Sequence, residues 1–584
     1  LPVGLGPDVS GRVVTAYLEG ADKVLISLSH PVPANSLRLK DVRFVDEKGF
    51  VIATRAIAPH QVGRDGVRQI DVQLREPLEG LPDFTAYFRD YKSKAVMPRA
   101  VMFNKERFHT DKPLGATYTK EATTFRLFSP SARRVSVFLY EHAVGEAGKR
   151  RIPLRPRGGG LWEETVEGDL EGQHYSLRVD TFAQDPGPEF ADPHARNTIG
   201  SQNRTRITDL RATDPEGFRP VKHREALASP VDAVIYEMHV RDFTISPDSG
   251  AFRQGKYAGF IEEGTRLPDD PAIRTGLDHL KEMGVTHIQL LPVQDFDNDE
   301  TNPAYNWGYM TAFFNSPEGW YATSIRGDAR IREFKRLVQG LHDAGFGVIM
   351  DVVYNHVGIQ NTLEMAAPNY YLRRLADGKL WNGSGCGNEF NSESPMGRRF
   401  IIDSCRYWIE EYGVDGFRFD LMGLIDRDTM LRVRDELRAD YPHVLIYGEP
   451  WTAGPCGLLG VTDKHAISGT GIGGFNDHFR NALKGEPNGE DPGYVQNGTH
   501  RVGVISGIAG SIDDWARQPY ETINYATCHD NLTLWDKLEL SCSEPAEQRV
   551  RMHAMAIGIL AVSQGVMFLH GGMEMCRTKF ANHN

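Results

Sequence analysis

Apolar and polar positions alternate in short runs through the first third of the chain: VVTAYL at 13–18, KVLISL at 23–28, RQIDVQL at 68–74, then TTFRLFS and RVSVFLY, with Gly, Pro and Asp between them. A period of two turns one face of each run inward, so regular short strands joined by turns predict β-sandwiches. The stretch NKERFHTDKPLGA (104–116) breaks the pattern. It separates an N-terminal β-sandwich-like domain over 1–110 from a second β-sandwich over 111–183. Trp162 and the aromatics near it are assigned to sandwich core or rim, ahead of sugar binding, on the general burial tendency of tryptophan. From 184 to 230 the composition turns to Pro, Asp, Asn and Arg with little periodicity, which reads as a linker or irregular wrap.

After this wrap the rhythm changes to strand and helix. VIYEMHV (234–240) precedes a helix with Ile273, Leu277, Leu280 and Met283 on one face, closed by Gly284 and followed by strand THIQLLPV. A second helix starts after Asp328 as N-cap, buries Ile331, Phe334, Leu337 and Leu341, and leads through Gly345 to GVIMDVVY. A third carries Ile401, Cys405, Trp408 and Tyr412, ends at Gly413 and leads to DGFRFDL; a fourth, over 428–437, leads to VLIYGEPW. INYATCH and GVMFLHG are further strands. Repeated alternation with apolar strands predicts a parallel sheet, and its length fits a (β/α)8 TIM barrel over 231–584 better than an open sheet. GTGIGG at 469–474 matches GxGxxG, but only a weak strand precedes it and a dinucleotide site is not assigned.

Composition adds bounds. At 584 residues the chain exceeds a single core and predicts three or more domains. No apolar run approaches the roughly 18 residues that span a bilayer, so no membrane partner is expected. A formal charge of -12 argues against a broad nucleic-acid surface and suits a neutral polar substrate. Six cysteines show no CxxC pair and no zinc spacing, which predicts reduced thiols. The chain opens LPVGLGP without Met or signal peptide, as a processed or trimmed N-terminus would, and leaves secreted or cytoplasmic location open.

Barrel chemistry belongs at the carboxyl ends of the strands. These ends are polar here: Asp351, Asn355 and His356; Arg418 and Asp420; Glu449 and Trp451; His529 and Asp530. In GFRFDL, Arg418 and Asp420 share one strand face, and a guanidinium beside a carboxylate favours its ionised form. Carboxylates from three strand ends are open to two other readings, a metal site or structural ion pairs. The spacing matches no HEXXH-like or two-histidine–one-carboxylate pattern.

DVVYNHVG, DGFRFDLMG, YGEPW and YATCHDN together resemble, in order, the four sequence regions of the α-amylase superfamily of retaining glycoside hydrolases, across 231–584. The resemblance implies Asp420 as nucleophile, Glu449 as general acid/base and Asp530 as transition-state stabiliser. It implies His356, Arg418 and His529 as sugar contacts in the cleavage subsite, with Trp451 and Asn531 beside them. Residues 114–180 resemble the starch-module-like (CBM48-type) β-domain that precedes the barrel in debranching members, with a scaffold role as the default. YNWGY (305–309), continued by SPEGWYAT, resembles the signature of type I pullulanases and limit dextrinases, which hydrolyse α-1,6 branches of pullulan, starch and glycogen. It departs at Met310 and Thr311, where that pattern has Asp and Pro. Tyr309 is implied to stack on the sugar, with Trp307 touching sugar or bracing the loop.

The expected partner is therefore a branched α-glucan, acted on by a monomer. Alternatives within the superfamily are an isoamylase, an α-1,4-acting amylase or neopullulanase, and a transglycosylating branching enzyme; a non-catalytic glucan-binding barrel is a further one. No cofactor is expected. Calcium is left open at Asn355, which matches a ligand of α-amylases that debranching relatives often dispense with. GGMEMCRTKFANHN is read as the turn after the last barrel strand, so the barrel is expected to be truncated there, without the family's closing helix and C-terminal β-sandwich.

Overall fold

The computed structural model describes residues 11–103, 108–199, 204–220, 227–358 and 362–582. LPVGLGP, the start of the break at 104–116 and parts of the 184–230 wrap lie outside the described residues. The alternating runs form strands: Val13–Gly20, Lys23–Val32 and Gly66–Leu74 are part of a five-stranded sheet, accompanied by a four-stranded one. Val24, Ile26, Phe44, Ile70, Val72 and Phe84 from both sheets share one core. Each such side chain contributes about 1.5–3 kcal/mol by leaving water, which is why the period of two dictates the layer. The second module is one eight-stranded sheet containing Gly115–Tyr118 and His174–Asp180. Trp162 lies in its core, its Nε1 donating to the Ser129 carbonyl at 3.0 Å. Part of the expected wrap joins this sheet, because Glu189–Phe190 and Thr205–Arg206 both pair with His174–Asp180.

Eight parallel strands then close a barrel: β1 (Val234–Met238), β2 (His287–Leu290), β3 (Gly347–Val352), β4 (Gly416–Phe419), β5 (Leu445–Gly448), β6 (Gly473–Phe475), β7 (Thr522–Asn524) and β8 (Val566–His570). β8 pairs with β1 from Val234↔Met567 to Glu237↔His570, so the ring of hydrogen bonds has no open seam. Ile235, Ile349, Tyr447, Phe475, Ile523 and Phe568 form one cluster. It is distinct from the larger cluster that joins Tyr236, Ile288 and Met350 to the surrounding helices. Among the described residues no helix is long and apolar enough to cross a membrane.

The helical faces form as expected along α1 (Gly276–Met283), α2 (Ala329–Asp343), α3 (Pro395–Tyr412) and α4 (Arg427–Asp440). The Ser394 hydroxyl caps α3 by accepting from the Gly397 amide, and Gly413 closes it at φ +80°, where a Cβ would meet the Pro220 carbonyl oxygen at 2.4 Å. Four local readings are corrected. Ile273 lies outside α1, on the exposed strand Asp270–Arg274. Asp328 precedes α2 but does not cap it. Its carboxylate accepts instead from Asn197 Nδ2 at 3.0 Å and from Nε of Arg206, on the strand that joins the second module's sheet, at 3.1 Å. GTGIGG follows the short helix Lys464–Ile467 rather than a strand, and its last two residues open β6, whose three residues are too few to show a period. The aromatic stretch 305–321 is not all loop, because Thr311–Pro317 is a fully buried strand paired with Gln294–Phe296.

That strand is anchored by a buried ionic cluster. Arg330 of α2 donates to Asp295 at 3.1 Å and to Glu300 at 2.7 Å, and both guanidinium and acids are buried. Glu318, at the end of the stretch, accepts from the amides of Phe296 and Trp320 and from Asn298 Nδ2. Met310, at the departure from the family signature, uses its carbonyl to accept from the Asp297 amide at 2.9 Å, and Thr311 opens the strand. The aromatic loop is thus fixed at both ends by backbone and buried charge.

Candidate active site

Arg418, on β4, is 2% exposed and serves three acids. Its Nη1 lies 2.9 Å from Asp351 Oδ1 and 2.8 Å from Asp420 Oδ1, and its Nη2 lies 2.8 Å from Glu449 Oε1. The planar guanidinium fork fixes these carboxyl groups relative to one another, as a lysine point charge does not. Asn355 Nδ2 donates to Asp420 Oδ2 at 2.7 Å and to the Asp420 carbonyl at 2.9 Å. Directly after Asp420 the chain turns through Leu421 at φ +39°, a left-handed conformation that costs a residue with a Cβ roughly 1–3 kcal/mol. The turn presents the Leu421 amide to Glu449 Oε2 at 2.9 Å. Backbone strain beside Asp420 is thereby tied to the placement of Glu449.

Burial pushes the Glu449 carboxyl up to about 8; Arg418 opposes this, while Asp420 and Asp530 reinforce it. Asp351 is pushed up to about 7 by burial and Asp420, again against Arg418. Too many acids surround one guanidinium for all to ionise at neutral pH. Glu449 is the group assigned the retained proton, because burial with Asp420 and Asp530 beside it pushes it further up than Asp351, which also takes the Tyr309 hydroxyl at 2.7 Å.

Tyr309 stacks on His529, ring centroids 5.2 Å apart and planes at 18°, and its hydroxyl lies 2.8 Å from His529 Nε2. Trp307 meets the same imidazole edge-on at 5.1 Å and donates its Nε1 to the Tyr305 hydroxyl. Asp530 keeps 42% of its side chain open to solvent, against 13% for Asp420, with its Oδ2 3.6 Å from His529 Nε2. His356 is buried, its Nδ1 against Asn355 Oδ1, and burial lowers its pKa while Asp420 works the other way. With its oxygen on His356 and its nitrogen on Asp420, the Asn355 amide is engaged at both ends within the site.

Of the ten residues expected from sequence, Tyr309, Trp307, His356, Arg418, Asp420, Glu449, His529 and Asp530 are brought together in this way. Asn531 follows Asp530 in a left-handed turn at φ +64°. Trp451 lies against the apolar cluster that contains Tyr447 and Phe475. Sequence reasoning named Asp351 as a strand-end polar group without a role and Asn355 only as a possible calcium ligand, and passed over Glu237, whose carboxylate binds His529. The available signal was an acid inside the apolar run VIYEM.

Two family models match: Carbohydrate-binding module 48 (Isoamylase N-terminal domain) over residues 113–195, and Alpha amylase, catalytic domain, over residues 264–382. The chain is 38% identical over 501 residues to a pullulanase of Bacillus subtilis, covering 82% of this chain and 67% of that one. It superposes on pullulanase from Bacillus acidopullulyticus with a TM-score of 0.92 at 34% identity, covering 98% and 84% of the two chains. It also matches pullulanase from Paenibacillus barengoltzii in complex with maltohexaose and α-cyclodextrin, at a TM-score of 0.79 and 42% identity over 82% and 77% of the chains. The chain spans 41 to 67% of the length of the first curated pullulanases it matches.

Proposed function

The chain belongs to the pullulanase-type debranching glycosidases of the α-amylase superfamily, and on that premise we propose that it hydrolyses α-1,6-glucosidic branches of pullulan, starch or glycogen-type glucans with retention of configuration. The observation that carries the mechanism is the Arg418 fork, which holds Asp420 and Glu449 on its two arms at 2.8 Å each. Retaining hydrolysis needs two carboxyl groups roughly 5–5.5 Å apart, one ionised and one protonated. Asp420, paired with the guanidinium, attacks the anomeric carbon. Glu449 gives its proton to the leaving branch-point oxygen, and the glycosyl ester forms as the glycosidic bond breaks. Glu449 then takes a proton from the water that opens the ester, releasing Asp420 and the α-configured sugar. Asp530, the most open of the three acids, faces the positive charge that develops on the sugar ring. His356, Arg418 and His529 hold sugar hydroxyls, and Tyr309 with Trp307 forms the aromatic wall beside them. Trp451 and Asn531 take peripheral positions in this reading.

The linkage assignment follows from products. Pullulan digestion is expected to yield maltotriose; panose identifies α-1,4 cleavage instead, and new branched products with added oligosaccharide identify transfer. The partner in this reading is a branched α-glucan, and the relative solved with maltohexaose and α-cyclodextrin supports an α-glucan ligand; the chain acts as a monomer and no step requires a cofactor or metal.

The charge of Glu449 fixes the alkaline side of the activity profile. A general acid must be protonated in the free enzyme, and raising the pH through about 8 removes that proton. The expected result is a kcat/KM for pullulan that falls about tenfold per pH unit above that value. A profile flat to pH 10 removes Glu449 from the acid role.

A further inference from the structure

Glu237 stands on β1, 1% exposed, between His570 of β8 and Gln289 of β2. Its Oε2 accepts the His529 amide at 2.7 Å, and its Oε1 lies 2.7 Å from His529 Nδ1. Gln289 Nε2 donates to Oε1 at 3.2 Å, and Gln289 is turned that way because its own oxygen takes the Tyr447 hydroxyl at 2.5 Å. The Glu237 carboxyl is thus surrounded by donors, and Nδ1 carries a proton. On the other side of the ring, the Tyr309 hydroxyl spends its proton on Asp351, so the Tyr309 oxygen accepts from Nε2 at 2.8 Å. Both ring nitrogens face acceptors, and a neutral imidazole can donate from only one.

Resting on the glycosidase reading above, we infer that Glu237 is a positioning residue that holds His529 as an imidazolium, with Nε2–H directed toward Tyr309 and Asp530. A charged donor binds a sugar hydroxyl more strongly than a neutral one. The buried Glu237–His529 pair is neutral as a unit.

The other groups around the ring are Asp530 and Cys528 on its own turn, Arg418 of β4, Asp351 of β3 through Tyr309, His570 of β8, which itself faces Arg577 and Lys484, and Lys579, whose Nζ donates to the His529 carbonyl at 2.6 Å. Burial opposes the charge and Arg418 adds to that opposition, but Asp530 and Glu237 outweigh both, and the ring is pushed up to about 9.

The test is a pH titration of enzyme labelled with 13Cε1-histidine, the His529 signal being assigned by its loss in His529→Gln. In the wild type the ring stays charged until about pH 9. In Glu237→Gln, isosteric but uncharged, it is expected to lose its proton at least one pH unit lower, since a contacting opposite charge is worth about 1–3 units. Glu237→Asp, which keeps the charge, retains the raised titration. In Glu237→Gln, kcat on pullulan falls about ten- to a hundredfold, the worth of a charged hydrogen bond. A neutral ring at pH 7 in the wild type overturns the inference whether or not any variant folds, as does an unchanged titration in Glu237→Gln. Because the titration needs no substrate, an enzyme that releases no maltotriose removes the functional reading separately.

Discussion

Asp420→Asn is expected to remain folded, to bind maltooligosaccharide, and to turn over pullulan slower by on the order of 10⁴-fold or more, the scale set by loss of a covalent nucleophile. Folding survives because Arg418 still holds Asp351 and Glu449, and Asn355 can still donate to the amide oxygen. Binding survives because the aromatic wall and His529 are untouched. A second change accompanies the first. Asp420 is among the charges that raise Glu449, so with Asn in its place Glu449 loses its proton at lower pH, and the alkaline limb of any residual activity moves toward neutrality. Turnover is read from reducing ends released from pullulan, and binding from calorimetry with maltotetraose. Wild-type turnover in this variant removes Asp420 from the nucleophile role.

Arg418→Met is the second large effect, and it falls on stability as well as on rate. Removing one partner from a buried ionic network typically costs about 3–5 kcal/mol, because the remaining charges are left without compensation. The sign of its pH dependence follows from the acids. Glu449 and Asp351 are pushed up to about 8 and about 7 in the folded protein, against roughly 4 in an unfolded chain. Groups raised on folding contribute fully below the unfolded value, and that contribution is lost as pH climbs through the folded values. Without the guanidinium the folded values rise further. Below about pH 7 both proteins hold these protons and the deficit is even; it grows as pH climbs through about 7 and 8 and beyond, where only the wild type has released them. Thermal unfolding of both proteins across that range checks it, and a deficit that is constant or largest in acid refutes the account.

The sequence made the framework legible wherever a period had room to repeat. Ile331, Phe334, Leu337 and Leu341 on α2, and the alternation in Lys23–Val32, are recovered because four or more residues report on one face. β6, with three residues, cannot show a period, and Ile273 matched a helical spacing while lying on a strand. The acids at strand ends were legible because their motifs are local: Arg418 and Asp420 are two residues apart. What escaped was contact between distant segments. Glu237 and His529 are separated by 292 residues, and Asp351 and Tyr309 by 42. Nothing in VIYEM alone says whose amide its acid will receive. Asp328 illustrates the same point in reverse: a correct local rule for an N-cap yields to partners more than a hundred residues away.

Those partners bear on how the protein can be cut and recombined. Asn197 and Arg206 reach Asp328 of the barrel, and Thr198 bonds both Asp295 and Ser316 within the anchorage of the segment that carries Tyr309. Removing the second module together with its trailing edge would strip hydrogen bonds from Asp328 and from the buried Asp295. The β-module is thus not an exchangeable cassette at its own C-terminal boundary. A graft that keeps a catalytic barrel working has to preserve Asn197, Thr198 and Arg206 with the barrel, although Arg206 also pairs with the module's sheet.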